Sequence, residues 1–232
     1  MAKTALVCVM AILLPTLIRG QQDGPPTGSI SGVVQAMDGT PVAGAFVDVS
    51  SLAPVNTSAS APFRAMVLTA SDGTYEIPST ADGDYRVCPR VPDSSLLAPC
   101  DWGTPPTATV TGGQAAVVPA IVLQQGADFY VRVNDPRGEH AARGRAPGAS
   151  ILLAIRAANG RVIPIPATAA DAKGFDCHLR VPVAAPITFI AQSNFYSLRD
   201  SRGAAISSTG GLVLPVAIPA GQAQHQEAIT IP

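Results

Sequence analysis

Proline and glycine recur so often along this chain that no helix of ordinary length survives them. Among 232 residues 22 are proline and 21 glycine, and beyond residue 20 no helical period runs on without one of them interrupting it. Proline lacks the backbone donor a helix needs and clashes with the preceding turn, and glycine carries a large entropy cost inside a helix. The interruptions leave short runs with a period of two, as half-buried strands do. The chain is therefore expected to be all-β. Hydrophobic residues make up 47% and charged residues 13%, which excludes a disordered chain. A formal net charge of -1 excludes a strongly basic nucleic-acid binder and an acidic tail protein.

Residues 1–20 read as a secretory signal peptide. Lys3 supplies a positive start, Ala5 to Leu14 is an apolar run too short to span a bilayer, and Pro15 and Gly20 follow. Cys8 lies inside the apolar run, not after a cleavage site. The alternative is an uncleaved anchor. Downstream no stretch approaches a membrane span; the longest apolar run, Ala115 to Leu123, contains Pro119. Removal of residues 1–20 leaves Lys173 as the only lysine. The expected location is exported: periplasmic, envelope-associated or extracellular.

Export favours a disulfide between Cys88 and Cys100, which bracket a proline-rich loop. Cys177 is then the odd thiol. In Phe175 to Val181 the alternation places Phe175, Cys177, Leu179 and Val181 on one face and Asp176, His178 and Arg180 on the other. A buried, inert thiol is the expectation, with pairing between chains left open.

After a flexible segment at 21–28, two series of strands are expected. The first includes Ser29 to Gln35, Gly44 to Val49, Ala65 to Thr69, Thr74 to Ile77, Tyr85 to Val87, Thr107 to Thr111 and Ala116 to Leu123. Seven strands over roughly 95 residues is the size of a β-sandwich. The second runs from Phe129 through Ser150 to Arg156, Arg161 to Ile165, Phe175 to Val183, Ile187 to Gln192, Leu212 to Ile218 and Ala228 to Ile231. Two tandem β-sandwiches are predicted, at 29–124 and 127–232, with Gln124-Gln125-Gly126 as a short joint.

The first series resembles the carboxypeptidase regulatory-like domain, a transthyretin-like sandwich close to the B-type repeats of collagen adhesins. The residues that carry the resemblance are Ile30-Ser31-Gly32-Val33-Val34, Asp38 to Val47, Thr69 to Ile77 and Gly83 to Val87. Asp38-Gly39 makes a turn, Pro41 fixes its exit, and Tyr75 and Tyr85 cap the core. The resemblance implies a non-catalytic domain found beside peptidase domains and in exported bacterial proteins. The neighbouring adhesin repeats often form a Lys–Asn isopeptide bond; residues 29–124 contain no lysine, so that bond is chemically impossible there. Residues 127–232 resemble no family we can name.

Several chemistries find no support in the pattern. The three histidines, His140, His178 and His225, lie on separate segments without zinc-ligand spacing. Cys177 and His178 are adjacent on a strand and so face opposite sides, which forbids a dyad between them. Asp72, Asp82 and Asp84 read as turn carboxylates in preference to calcium ligands. Asn56-Thr57-Ser58 matches a glycosylation acceptor but carries little weight in a bacterial-type protein. No cofactor, metal or catalytic residue is expected.

Two surfaces remain as ligand or partner candidates. One is Arg137 to Arg145, with Arg137, Arg143 and Arg145, expected to be a mobile solvated connection. The other is the aromatic set Trp102, Phe195 and Tyr196, which would bind a sugar or protein if exposed. The expected function is a non-catalytic interaction or structural role at the cell envelope, with an envelope protein or glycan as partner. The alternatives are a carbohydrate-binding module, which needs exposed aromatics, and a hydrolase, which needs a histidine meeting an acid and a nucleophile.

Overall fold

The computed structural model describes residues 27–52, 63–92, 94–143, 149–206 and 211–232. The expected signal peptide, residues 21–26, Asn56-Thr57-Ser58 and Arg145 lie outside the described residues. The chain is all-β. Its strands are β1 (Gly28–Ala36), β2 (Phe46–Ser51), β3 (Arg64–Leu68), β4 (Thr74–Thr80), β5 (Gly83–Arg90), β6 (Leu96–Leu97), β7 (Thr107–Val110), β8 (Ala116–Val117) and β9 (Ile121–Asn134). They continue as β10 (Leu152–Arg156), β11 (Val162–Pro164), β12 (Ala167–Asp171), β13 (Gly174–Pro182), β14 (Ile187–Gln192), β15 (Leu198–Arg199), β16 (Ala205–Ile206), β17 (Leu212–Val216) and β18 (Gln224–Thr230).

In the first sandwich the sheet β3-β2-β5-β7 faces a layer of β4, β1, β8 and the start of β9. Alternation decides what goes between them. Val47 and Val49 of β2, Tyr85 and Val87 of β5, and Ile30 and Val34 of β1 are all fully buried. Each such side chain contributes roughly 1.5–3 kcal/mol on leaving water. Two Asp-Gly turns shape this half. The Asp38 and Asp72 carboxylates accept the N–H of Thr40 and Thr74, both at 3.0 Å. Gly73 has φ +75°, and a Cβ there would lie 2.5 Å from the Val34 carbonyl oxygen, so the second turn requires glycine. The Tyr85 hydroxyl donates to the Ala81 carbonyl at 2.7 Å, which allows its complete burial.

The second sandwich packs β11-β10-β14-β17 against β12-β13-β9-β18-β15-β16. Phe129, Val131 and Val133 of β9 meet Ile155 and Phe189 in its core, with Phe129 and Phe189 ring centroids 5.5 Å apart.

The expected joint at Gln124-Gln125-Gly126 is strand. β9 runs unbroken for 14 residues through it. Ile121 and Leu123 feed the first core, while Ala127, Phe129, Val131 and Val133 feed the second. All lie on the same face of one strand. The glutamines are polar because they cross between cores, and their backbone stays paired: Gln124 and Gln125 oppose Leu97 and Leu96 of β6. One sheet of ten strands consequently runs through both sandwiches.

Two short helices, of four and five residues, interrupt the strands. α1 (Pro99–Trp102) starts on a proline, which is pre-set for a first helical position. α2 (Glu139–Arg143) is capped by Asp135, whose two carboxylate oxygens accept the N–H groups of Glu139 and His140, each at 2.8 Å.

Candidate interaction surfaces and the seam between the sandwiches

Segment 96–103 is local in sequence but divides its side chains between two cores. Leu96 and Ala98 pack in the first, Leu97 and Trp102 in the second. The Cys88–Cys100 disulfide, with Cα atoms 5.8 Å apart, ties α1 to β5 of the first sandwich. Hydrogen bonds from the second sandwich meet the same segment. Asn159, in the β10–β11 turn, donates from Nδ2 to the Gly103 carbonyl at 2.7 Å. Arg161 donates to the Cys100 carbonyl at 3.1 Å and pairs with Asp101 at 3.0 Å.

A second set of contacts lies on the outer face of β9 and β13. Asp128 receives His178 Nε2 at 2.9 Å and Arg180 Nε at 3.1 Å. Arg180 also donates to the Ser94 carbonyl, bringing the first sandwich's loop onto this pair. Burial pushes the Asp128 carboxyl up, and the hydrogen bonds and charges of His178 and Arg180 outweigh it, so its pKa lies below the ordinary carboxylate value. Gly126 sits beneath Arg180. A Cβ there would lie 2.7 Å from Arg180 Cγ and 2.9 Å from the Ser95 carbonyl oxygen.

The candidate residues read from sequence do not come together. Trp102 and Tyr196 are 8% and 7% exposed, and both belong to the second core. This corrects their expected place on a ligand surface: α1 points Trp102 across the seam, and Tyr196 is held where its N–H donates to Ser193 Oγ at 3.0 Å. Phe195 is 41% exposed, set edge-on against Tyr196. Arg137 is exposed in the turn before α2, and Arg143 pairs with Glu139 one helical turn away at 3.3 Å. The expected mobile connection is thus, through Arg143, a turn and a capped helix.

The histidines stay apart. His178 bonds Asp128 and stacks on Tyr130, His225 bonds Glu227 at 3.0 Å and stacks on Phe129, and His140 packs against Phe175 and Tyr196. Cys177 is a free, buried thiol whose pKa is pushed up to about 11 by burial and by Asp176. Among the described residues no group of three or more His, Cys, Asp or Glu side chains is arranged to hold a metal ion. The Asp82 carboxylate accepts the N–H groups of Gly112 and Gly113, and Asp84 accepts the Thr109 hydroxyl, so both tie the β7–β8 region to the β4–β5 turn. Lys173 is exposed in the turn between β12 and β13. Among the described residues no helix is long and apolar enough to cross a membrane.

One charged surface escaped the sequence reading. Arg64, Arg86, Arg90 and Arg161 surround a cleft of about 360 Å³ with Asp48 and Asp101. Hydrogen bonding to Asp48 and its charge raise the Arg64 pKa above its already high value. The residues at 86, 88 and 90 share one face of a strand, which was the available signal. Nothing local announced that Arg64 and Arg161 would join them.

No family model and no curated protein matches the chain. Similar solved structures include the Bacillus anthracis TIE protein, at 15% identity over 89% of this chain and 34% of that one, with a TM-score of 0.35. A streptococcal ancillary pilin is similar at 10% identity over 88% of this chain and 62% of that one, TM-score 0.39. The minor pilin of Streptococcus agalactiae is similar at 9% identity over 89% of this chain and 97% of that one, TM-score 0.41. This chain spans about a third of the length of the first and about three fifths of the second.

Proposed function

We propose that this is an exported, non-catalytic protein with an interaction or structural role at the cell envelope. It is built from a carboxypeptidase regulatory-like module at 29–124 and a second β-sandwich module at 127–232. The observation that carries this reading is the seam: one continuous strand serves both cores, and a disulfide holds α1, whose Trp102 enters the far core, to β5. A disulfide placed at such a joint fits an oxidising compartment. A shared strand makes relative motion of the two modules costly, as suits a part that holds position or transmits load. Trp102 and Tyr196 are spent on packing, and each histidine is engaged with its own separate neighbours, so neither a glycan platform nor a hydrolytic site is proposed.

Expression of the full chain in a secreting bacterium, followed by fractionation and thiol titration of the recovered protein, tests the reading. The expected product lies outside the cytoplasm, lacks residues 1–20, and shows one thiol after unfolding, that of Cys177. Recovery in the cytoplasm with Cys88 and Cys100 reduced would overturn export and the disulfide's role together.

A further inference from the structure

We infer that the outward face of the first sandwich docks an extended acidic peptide segment of a partner protein. This deepens the interaction role proposed above by giving it a surface and a partner chemistry.

Strand register places three rows of side chains on that face. Arg64, Ser50 and Arg86 form the first, Met66, Asp48 and Cys88 the second, and Leu68, Phe46 and Arg90 the third. Arg86 and Arg90 are exposed, and among the described residues neither guanidinium has an ion pair or hydrogen bond. Arg64 is held by Asp48 and Arg161 by Asp101, so the cleft keeps two uncompensated guanidinium groups. Asp84, next along β5, is turned to the Thr109 hydroxyl at 2.7 Å.

Spacing and composition select the partner. Arg86 and Arg90 lie four residues apart on one face of a strand, about 13 Å along it. Cys88 between them is bonded to Cys100 of α1, so the peptide lies over the neighbouring β2, where Ser50 and Phe46 stand beside Arg86 and Arg90. An extended peptide has the same repeat, so acids four positions apart in it meet both arginines. Phe46, Met66 and Leu68 form an apolar strip beside them, at 36%, 64% and 54% exposure. A peptide with an apolar residue between its acids covers strip and arginines together. An acidic glycan matches only the charges and leaves the strip in water.

The probe is a fluorescein-labelled extended peptide with two glutamates four residues apart and a leucine between them, titrated with the purified protein by anisotropy. Saturable binding is expected. Added salt weakens it as the Debye length falls below about 10 Å, and replacing the glutamates by glutamine abolishes it. Arg86→Gln with Arg90→Gln weakens binding about tenfold, and Met66→Ser with Leu68→Ser weakens it a few-fold. Arg137→Gln, on the other sandwich, leaves it unchanged. An unaltered Trp102 emission spectrum verifies that each variant is folded. No saturation up to about 1 mM, or binding indifferent to Arg86 and Arg90, overturns the inference. So does tighter, competing binding of a heparin oligosaccharide, which assigns the face to acidic glycans. None of these outcomes touches the export and thiol results, so the two readings fail separately.

Discussion

Breaking the Cys88–Cys100 disulfide is the perturbation that asks most of the seam. The two cysteines are 12 residues apart, and closing a loop of that size removes unfolded-chain entropy worth about 3 kcal/mol at 25 °C. Cys88→Ala with Cys100→Ala therefore lowers stability by about that amount. With a urea dependence of about 2 kcal/mol/M, the midpoint falls by roughly 1.5 M. Trp102 is the only tryptophan; it sits on the helix tied to the first sandwich and packs in the core of the second. Its fluorescence thus reports the seam, while far-UV circular dichroism reports all strands. Because β9 is common to both cores, the two signals are expected to move together to lower urea. A midpoint shift below about 0.3 M in a variant shown to lack the bond would refute the loop-entropy account. A shift in fluorescence alone would refute the coupling of the two sandwiches through β9.

Three further outcomes follow from the same geometry. Asp128→Asn removes the charged partner of His178 and Arg180 and costs about 1 kcal/mol at neutral pH, discounted for partial solvent exposure. Since the folded pKa of Asp128 is depressed, its contribution is present above the unfolded value of about 3.9 and is lost as pH falls through the folded value. Acid titrations of wild type and variant should therefore begin to converge only below about pH 4, and parallel curves down to the lowest pH would count against this pair. Gly126→Val forces β6 and Arg180 away from β9, and thermal melts should show about 1–3 kcal/mol of destabilisation; an unchanged melt would mean the close approach is not needed. Cys177, buried with a pKa near 11, should react with a thiol reagent at pH 8 only on unfolding, and rapid labelling of native protein would contradict its burial.

Alternation and turn chemistry are local properties, and they account for what was legible in the sequence. The inward faces of β2, β5, β9 and β13 could be named because their side chains alternate, and the Asp-Gly turns because aspartate caps its own backbone. The Cys88–Cys100 pair was legible because the expected export favours a disulfide between two cysteines that bracket a short proline-rich stretch. β12, by contrast, has five exposed residues and no apolar alternation. It exists because β13 offers it a ladder in antiparallel register, Ala170 opposite Phe175 and Asp171 opposite Gly174.

What tertiary structure alone decided is how surfaces meet. Polar Gln124 and Gln125 read as a break, yet the backbone there continues as strand because β6 pairs with it. Trp102 and Tyr196 have the chemistry of ligand anchors, but a seam and a second core claimed them. The arginine face depends on cross-strand register and on a hairpin of the other sandwich reaching α1. The sequence determined the buried faces of the alternating strands and the Asp-Gly turns, because those follow from neighbours a few residues away. Which strands became partners and which charges came to share a cleft was set by contacts between residues as many as 96 positions apart, as where Gln224 of β18 pairs with Asp128 of β9, and no local pattern encodes those distances.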